Sequence, residues 1–236
     1  AEVKDIDHTV DALCGAFDAC TPDFRAALAA RLADPKYKAF TYIRRQVTPE
    51  EAARVAALKL PGIGRRTETR RYYPKKELAS HLVGFVNIDN QGLAGVELTY
   101  GKTIGGMDGK SVLQVDARGR SVQSRVELEP RAGATVELTI DQYLQHIAER
   151  ELQAGVIANK AAGGTAVIMN PWTGEILALA NTPTFNPNAY RDARDESLRN
   201  RAIQDLYEPG STFKIVTASA ALEQSVVHPE DLIDVR

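Results

Sequence analysis

The 236-residue chain is poor in the residues that most often declare a function: it has two cysteines, one tryptophan, two methionines and four histidines. His8, His81, His146 and His228 stand far apart, and the cysteines have the wrong spacing for a compact zinc or redox motif, so no metal or other cofactor is expected. Cys14 and Cys20, with five residues between them, could pair if the backbone turned back on itself. Two unpaired, partly buried side chains are the favoured reading. No stretch approaches the ~18 consecutive apolar residues of a bilayer span, and the opening Ala1-Glu2-Val3-Lys4 has no apolar leader. A dominant charge is missing as well. Lys and Arg number 29 against 31 Asp and Glu, a net charge of -2, which removes any general pull toward nucleic acid or an anionic membrane. What remains is 44% hydrophobic and 25% charged residues, an ordinary globular composition long enough for one or two domains.

The organisation follows from punctuation and periodicity. Thr21-Pro22-Asp23-Phe24 opens a helix to about Leu32, with Thr21 as cap and Pro22 at the first position. Thr48-Pro49-Glu50-Glu51 repeats that signal with a capping-box glutamate, followed by Ala52, Val55, Ala56 and Leu60, and Pro61-Gly62 stops it. Residues 111–115 and 125–129 alternate as hairpin strands with the turn at 116–120, and 130–133 reads as a linker. Beyond it, 136–140 is expected to be a short strand, and Asp141 to cap a helix carrying Leu144, Ile147, Ala148, Leu152 and Val156. Residues 166–169 and 175–180 form a further hairpin, over which the lone Trp172 is expected to lie. The pattern is α+β, with helices packed on an antiparallel sheet. The mixed-charge run 191–196 reads as a solvated face.

The chemistry-bearing residues stand near the end, in Tyr207-Glu208-Pro209-Gly210-Ser211-Thr212-Phe213-Lys214. Residues three apart share a helix face, so Lys214 can lean back over the Ser211 hydroxyl and act as the base that a serine nucleophile requires. Lysine serves as base only when neutral, which calls for burial or a positive neighbourhood such as a helix N-terminus. Ile215 to Leu222 is nearly all apolar or small, and predicts a helix buried on most sides. Spacing alone fits equally a serine at a helix cap with a lysine snorkelling beside it. The surrounding sequence decides between them.

Glu208 to Lys214 resembles the active-site serine motif of the class B penicillin-binding proteins, the D,D-transpeptidases that cross-link peptidoglycan. Arg70-Arg71-Tyr72-Tyr73-Pro74 with His81-Leu82-Val83-Gly84-Phe85 resembles the arginine and proline motif of that family's non-catalytic domain, and Gly92 to Tyr100 its glycine and glutamate motif. Gly133 to Asp141 is similar to the entry of the transpeptidase domain, and Asn170 to Ala178 with Pro183 to Asn188 completes the series. The five stretches lie in family order over roughly residues 70 to 222, and 71–74 with 85–92 are most similar to the septal, cell-division type. After Pro74 the family usually has a glycine one residue on; Lys75-Lys76 stand here instead and put the turn geometry in question.

The resemblance implies an elongated, mixed pedestal or dimerisation-like domain over 1–132 and the first part of a transpeptidase domain over 133–236. It implies Ser211 as nucleophile and Lys214 as general base, with Arg71, Pro74, Gly92, Gly95 and Glu97 as structural motif residues. The expected substrate is a peptidoglycan stem peptide ending in D-Ala-D-Ala, with β-lactams acylating the same serine. Cell-division membrane proteins, including a glycosyltransferase, are the expected partners, at the periplasmic face of the inner membrane. The family's Ser-x-Asn and Lys-x-Gly motifs and its membrane anchor are expected outside this chain, which by itself is expected to be inactive. Two alternatives stay open: a serine β-lactamase or β-lactam sensor, and a non-catalytic interaction module of a cell-wall synthase.

Overall fold

The computed structural model describes residues 3–37, 39–115 and 121–232. Its elements are α1 (Ile6–Ala16), α2 (Pro22–Ala33), α3 (Pro49–Ala57), α4 (Ser80–Val83), α5 (Gly95–Ile104), β1 (Lys110–Val115), β2 (Ser121–Leu128), α6 (Gln142–Ala158), β3 (Gly164–Met169), β4 (Ile176–Thr182), α7 (Asp195–Leu198), α8 (Arg201–Gln204) and α9 (Lys214–Glu223), joined in places by 3-10 turns. They form two compact units: Ala1–Ile140 with Thr184–Leu198, and Asp141–Pro183 with Arg199–Arg236.

In the first unit, α1, α2 and α3 close around Val10, Leu13, Phe17 and Leu28, with Phe24, Leu32 and Val55 packed against them. The expected caps are in place: Thr21 accepts the Phe24 N–H, and Thr48 with Glu51 makes a full capping box. Helix α1 was not foreseen. Asp5 starts it, and at Phe17 the chain turns extended, bending away one turn after Cys14. That bend corrects the favoured cysteine reading, because it returns Cys20 to a Cα separation of 5.2 Å from Cys14 and the two form a disulfide. Glu51, buried beneath this loop, accepts the Asp18 N–H at 3.1 Å, and Arg44 lies 3.1 Å from the same oxygen. Strands β1 and β2 pair antiparallel as expected, while the turn assigned to 116–120 falls outside the described residues. The segment read as a linker is tied down, since Arg131 and Met107 exchange both backbone hydrogen bonds.

In the second unit, Asp141 caps α6 by accepting the Tyr143 and Leu144 N–H groups at 2.8 and 2.9 Å. The helix lies on the β3–β4 hairpin, where Ala148, Ala178 and Ala180 are small enough to bring helix and strand together, flanked by Leu144, Leu152, Ala166 and Ile168. Gln145 is fully buried. Its amide donates to the Leu179 carbonyl at 3.0 Å and its oxygen accepts the Leu179 N–H at 2.7 Å, standing in for a neighbouring strand at the outer edge of β4.

Three expectations are corrected in this region. No strand forms over 136–140; the chain runs on to Asp141, whose N–H donates to the Leu177 carbonyl at 2.9 Å instead of starting a ladder. Trp172 does not cover the hairpin but is 93% exposed at its tip, because the Asn170–Gly174 turn closes on its own backbone and the Asn170 side chain. No residue of α9 is buried: Ile215 is 69% exposed and Val216 55%. The nearly all apolar or small composition of 215–222 asks for burial, but α6 occupies one face of the only sheet described in this unit and no residue of α9 is buried against it.

Two measurements test these supports. Gln145→Leu leaves both Leu179 backbone groups without partners in a dry site, so urea unfolding should show a loss of about 2–4 kcal/mol. The Glu51 carboxyl is held below the usual carboxylate value, chiefly by the Asp18 amide, with the Thr48 amide, Arg44 and Arg54 adding to this against burial. A folded value below the unfolded one, near about 4.3, means stability that is full above that point and lost as pH falls through the folded value. Denaturation titrations from about pH 7 down to about pH 3 should therefore show a steeper acid loss for the wild type than for Glu51→Gln.

Candidate active site

The Ser211 segment is built by a tight turn. Pro209 has φ -71° and ψ -21°, Gly210 stands at φ 54° in the left-handed region where a side chain would be strained, and a 3-10 turn spans Gly210–Phe213. The Thr212 N–H donates to the Pro209 carbonyl at 3.1 Å, and the Lys214 N–H donates to the Ser211 carbonyl. Ser211 therefore sits in the turn that leads into α9 rather than in its first α-helical turn, and Lys214 is the first residue of the helix. Side chains three apart in a 3-10 turn nearly eclipse, so hydroxyl and amine project from the same side. Both are exposed, and no hydrogen bond joins them. The N-terminal ends of the turn and of α9 lie beside Ser211, a setting that favours developing negative charge.

The approach to this segment is pinned to the hairpin. Asn181, buried in β4, donates to the Asn200 side chain at 3.1 Å and accepts the Ala202 N–H at 2.9 Å at the start of α8. Arg199 and Arg201 both reach Asp205, at 3.0 and 3.1 Å. Asn181 was not singled out from the sequence. The available signal was an amide directly after the buried Ala180, where the strand would be expected to turn outward.

In the first unit the motif residues converge on one buried carboxylate. Glu97, with a side chain 9% exposed, lies in the first turn of α5 and takes Arg71 Nε at 3.0 Å. The Tyr73 hydroxyl donates to the same oxygen at 3.3 Å. Burial pushes that phenol well above its usual pKa, with the Glu97 charge adding. Gly92 and Gly95 permit the close approach: a Cβ at Gly92 would overlap the Glu97 carbonyl, and Gly95, at φ 57°, would overlap that of Leu82. Pro74 follows Tyr73 in a turn closed by the Lys76 N–H on the Tyr73 carbonyl at 3.1 Å. Lys76, at φ 50°, takes the left-handed conformation that a glycine would adopt more easily. The run 191–196 is largely solvent-exposed, as expected. A polar cleft of about 290 Å³ opens beside Arg71, Tyr73, Asn90, Asn188 and Tyr190. Ser211 is not on it.

Each grouping falls within a stretch that matches a known protein family. Residues 1–138 match the penicillin-binding protein dimerisation domain and residues 164–236 the penicillin-binding protein transpeptidase domain. The chain belongs to the class B penicillin-binding proteins. It is 42% identical over 208 residues to the peptidoglycan D,D-transpeptidase FtsI of Escherichia coli K12, covering 88% of this chain and 35% of that protein. A probable peptidoglycan D,D-transpeptidase, PbpC of Pseudomonas aeruginosa, is 41% identical over 84% of this chain and 35% of its own length. The chain thus spans about a third of these relatives. Among solved structures, penicillin-binding protein 3 of Mycobacterium tuberculosis superimposes with a TM-score of 0.56 at 32% identity, over 70% of this chain and 34% of that one.

Glu97→Gln removes the charge that Arg71 neutralises in a largely dry site. Because Arg71 remains 37% exposed, the expected loss is less than for a fully buried pair, about 2 kcal/mol by chemical denaturation. Tyr73→Phe, which removes the hydroxyl and its bonds to Glu97 and the Val86 backbone, should cost about 1–2 kcal/mol.

Proposed function

We propose that the protein containing this chain is a septal peptidoglycan D,D-transpeptidase in which Ser211 is the nucleophile and Lys214 its general base. The observation that carries the reading is the turn at Pro209–Lys214, which projects a serine and a lysine from one side at the start of a helix. Ser211 Oγ attacks the carbonyl of the penultimate D-alanine of a stem peptide while Lys214 Nζ takes its proton. The tetrahedral adduct collapses to an ester on Ser211, and the terminal D-alanine leaves with a proton returned by Lys214. The amine of a second stem peptide then displaces the serine and forms the cross-link. The Ser211 backbone N–H is one oxyanion donor, of a kind that contributes roughly 3 kcal/mol to the transition state.

β-Lactams, whose strained amide mimics the D-Ala-D-Ala carbonyl, acylate the same oxygen in this reading. The match of residues 1–138 to the dimerisation domain supports a synthase over a β-lactamase. The FtsI names of the relatives support action in division. In this reading a glycosyltransferase is the partner, at the periplasmic face of the inner membrane.

Covalent labelling of the full-length protein with fluorescent penicillin tests these roles. Ser211→Ala should abolish labelling, and Lys214→Ala should slow acylation by about 10²-fold or more while leaving the protein folded. Unchanged acylation in the lysine variant would remove Lys214 from its role. Rapid release of the bound label by the wild type would point to a β-lactamase.

A further inference from the structure

The segment Thr184–Leu198 leaves the hairpin of the second unit at Pro183, packs entirely within the first unit, and returns to the second unit at Arg199, shortly before the run that carries Ser211. Its attachment is unusually specific for a connection. The Asn188 side chain accepts the Tyr73 N–H at 2.9 Å and donates to the Tyr73 carbonyl at 2.8 Å, satisfying both backbone groups of one residue as a paired strand would. Tyr73 is the residue whose hydroxyl reaches Glu97. Buried His81 donates from Nε2 to the Ser197 carbonyl at 2.8 Å, and the Ser80 and Thr184 hydroxyls lie 3.0 Å apart. Phe185 is buried edge-on against His81 and Phe85, and Phe85 stacks on Tyr190 at 4.4 Å.

We infer that Thr184–Leu198 is a tether through which the Arg71–Glu97 cluster sets the reactivity of Ser211, with Asn188 as its positioning residue. The inference rests on the acyl-transfer reading of Ser211. Both ends of the tether are covalently continuous with the hairpin and with the Asn181-pinned segment that leads to the nucleophile. Holding the middle of that path removes conformational freedom from the segment that places Ser211, and acyl transfer loses rate steeply when the attacking atom is misplaced by an ångström or so. Packing alone would need the aromatic contacts. It would not need an amide matched to both backbone polar groups of a residue whose hydroxyl also reaches Glu97.

The test uses the full-length protein with Asn188→Ala and Asn188→Asp, the latter keeping an acceptor for the Tyr73 N–H. Three quantities are measured on protein shown to be folded by thermal melting: the saturating rate of fluorescent-penicillin acylation, the concentration for half-saturation, and tryptic cleavage at exposed Arg191 and Arg194. Expected is faster cleavage and an acylation rate about tenfold lower at saturation in Asn188→Ala, with little change in half-saturation and partial recovery in Asn188→Asp. Faster cleavage with an acylation rate unchanged within about twofold makes the tether purely structural and overturns the inference. So does cleavage that does not change. If Asn188→Ala fails to fold, Thr184→Val, which removes the hydroxyl contacts to Ser80 and to the Glu77 carbonyl, carries the same comparison. Absence of labelling at Ser211 in the wild type overturns the acyl-transfer reading and the inference with it, and is seen before any variant is compared.

Discussion

A buried carboxylate, that of Glu97, organises the motif region of the first unit. Glu97 cannot sit in a largely dry site without a counter-charge, and the fold supplies Arg71, the Tyr73 hydroxyl and the amide end of α5. Bringing these together demands backbones closer than side chains allow, which is why glycine stands at 92 and 95. Arg71 in turn donates its backbone N–H to Asn90, whose left-handed conformation turns the 87–91 loop. Tyr73 is fixed at its hydroxyl by Glu97 and at its backbone by Asn188, so the charge is linked through one residue to the Thr184–Leu198 segment. Substituting the carboxylate therefore loosens a connected set of bonds rather than one pair.

The second unit has the opposite character. Alternation along β3 and β4 places Ala166, Ile168, Ala178 and Ala180 toward α6, while Val167 and Met169, both about half exposed, occupy the other face. A hairpin apolar on both sides is the pattern of a sheet meant to be covered twice. Helix α9 is likewise apolar around most of its circumference and uncovered. Both surfaces belong to a chain that spans 35% of its relatives' length.

Much of this was legible in the residues. Caps with a distinctive donor-acceptor logic, at Thr21, Thr48 and Asp141, mark helix starts because the signal is local. The β3–β4 hairpin was legible because strong alternation flanks a turn rich in Asn, Pro and Gly. The failures share a different cause. The disulfide depended on where α1 ends, a point set by packing of Leu13 and Phe17 rather than by the spacing of the cysteines. Gln145, Asn181 and Asn188 act on backbone groups far away in sequence, so nothing beside them announces their partners. The Ser211–Lys214 pair was visible only through its motif, and its turn geometry was not.

The exposure of that pair bears on how it can work. A lysine acts as a base only where its charged form is disfavoured, and water around an exposed amine does the reverse. Lys214 opens α9, immediately before the exposed apolar residues Ile215 and Val216. Any layer that covers those side chains also excludes water from the amine one residue earlier, and brings low dielectric to the amide ends beside Ser211. If Ser211 and Lys214 act as proposed, covering the helix and activating the serine are one event, because the layer that buries Ile215 and Val216 also removes water from beside Lys214.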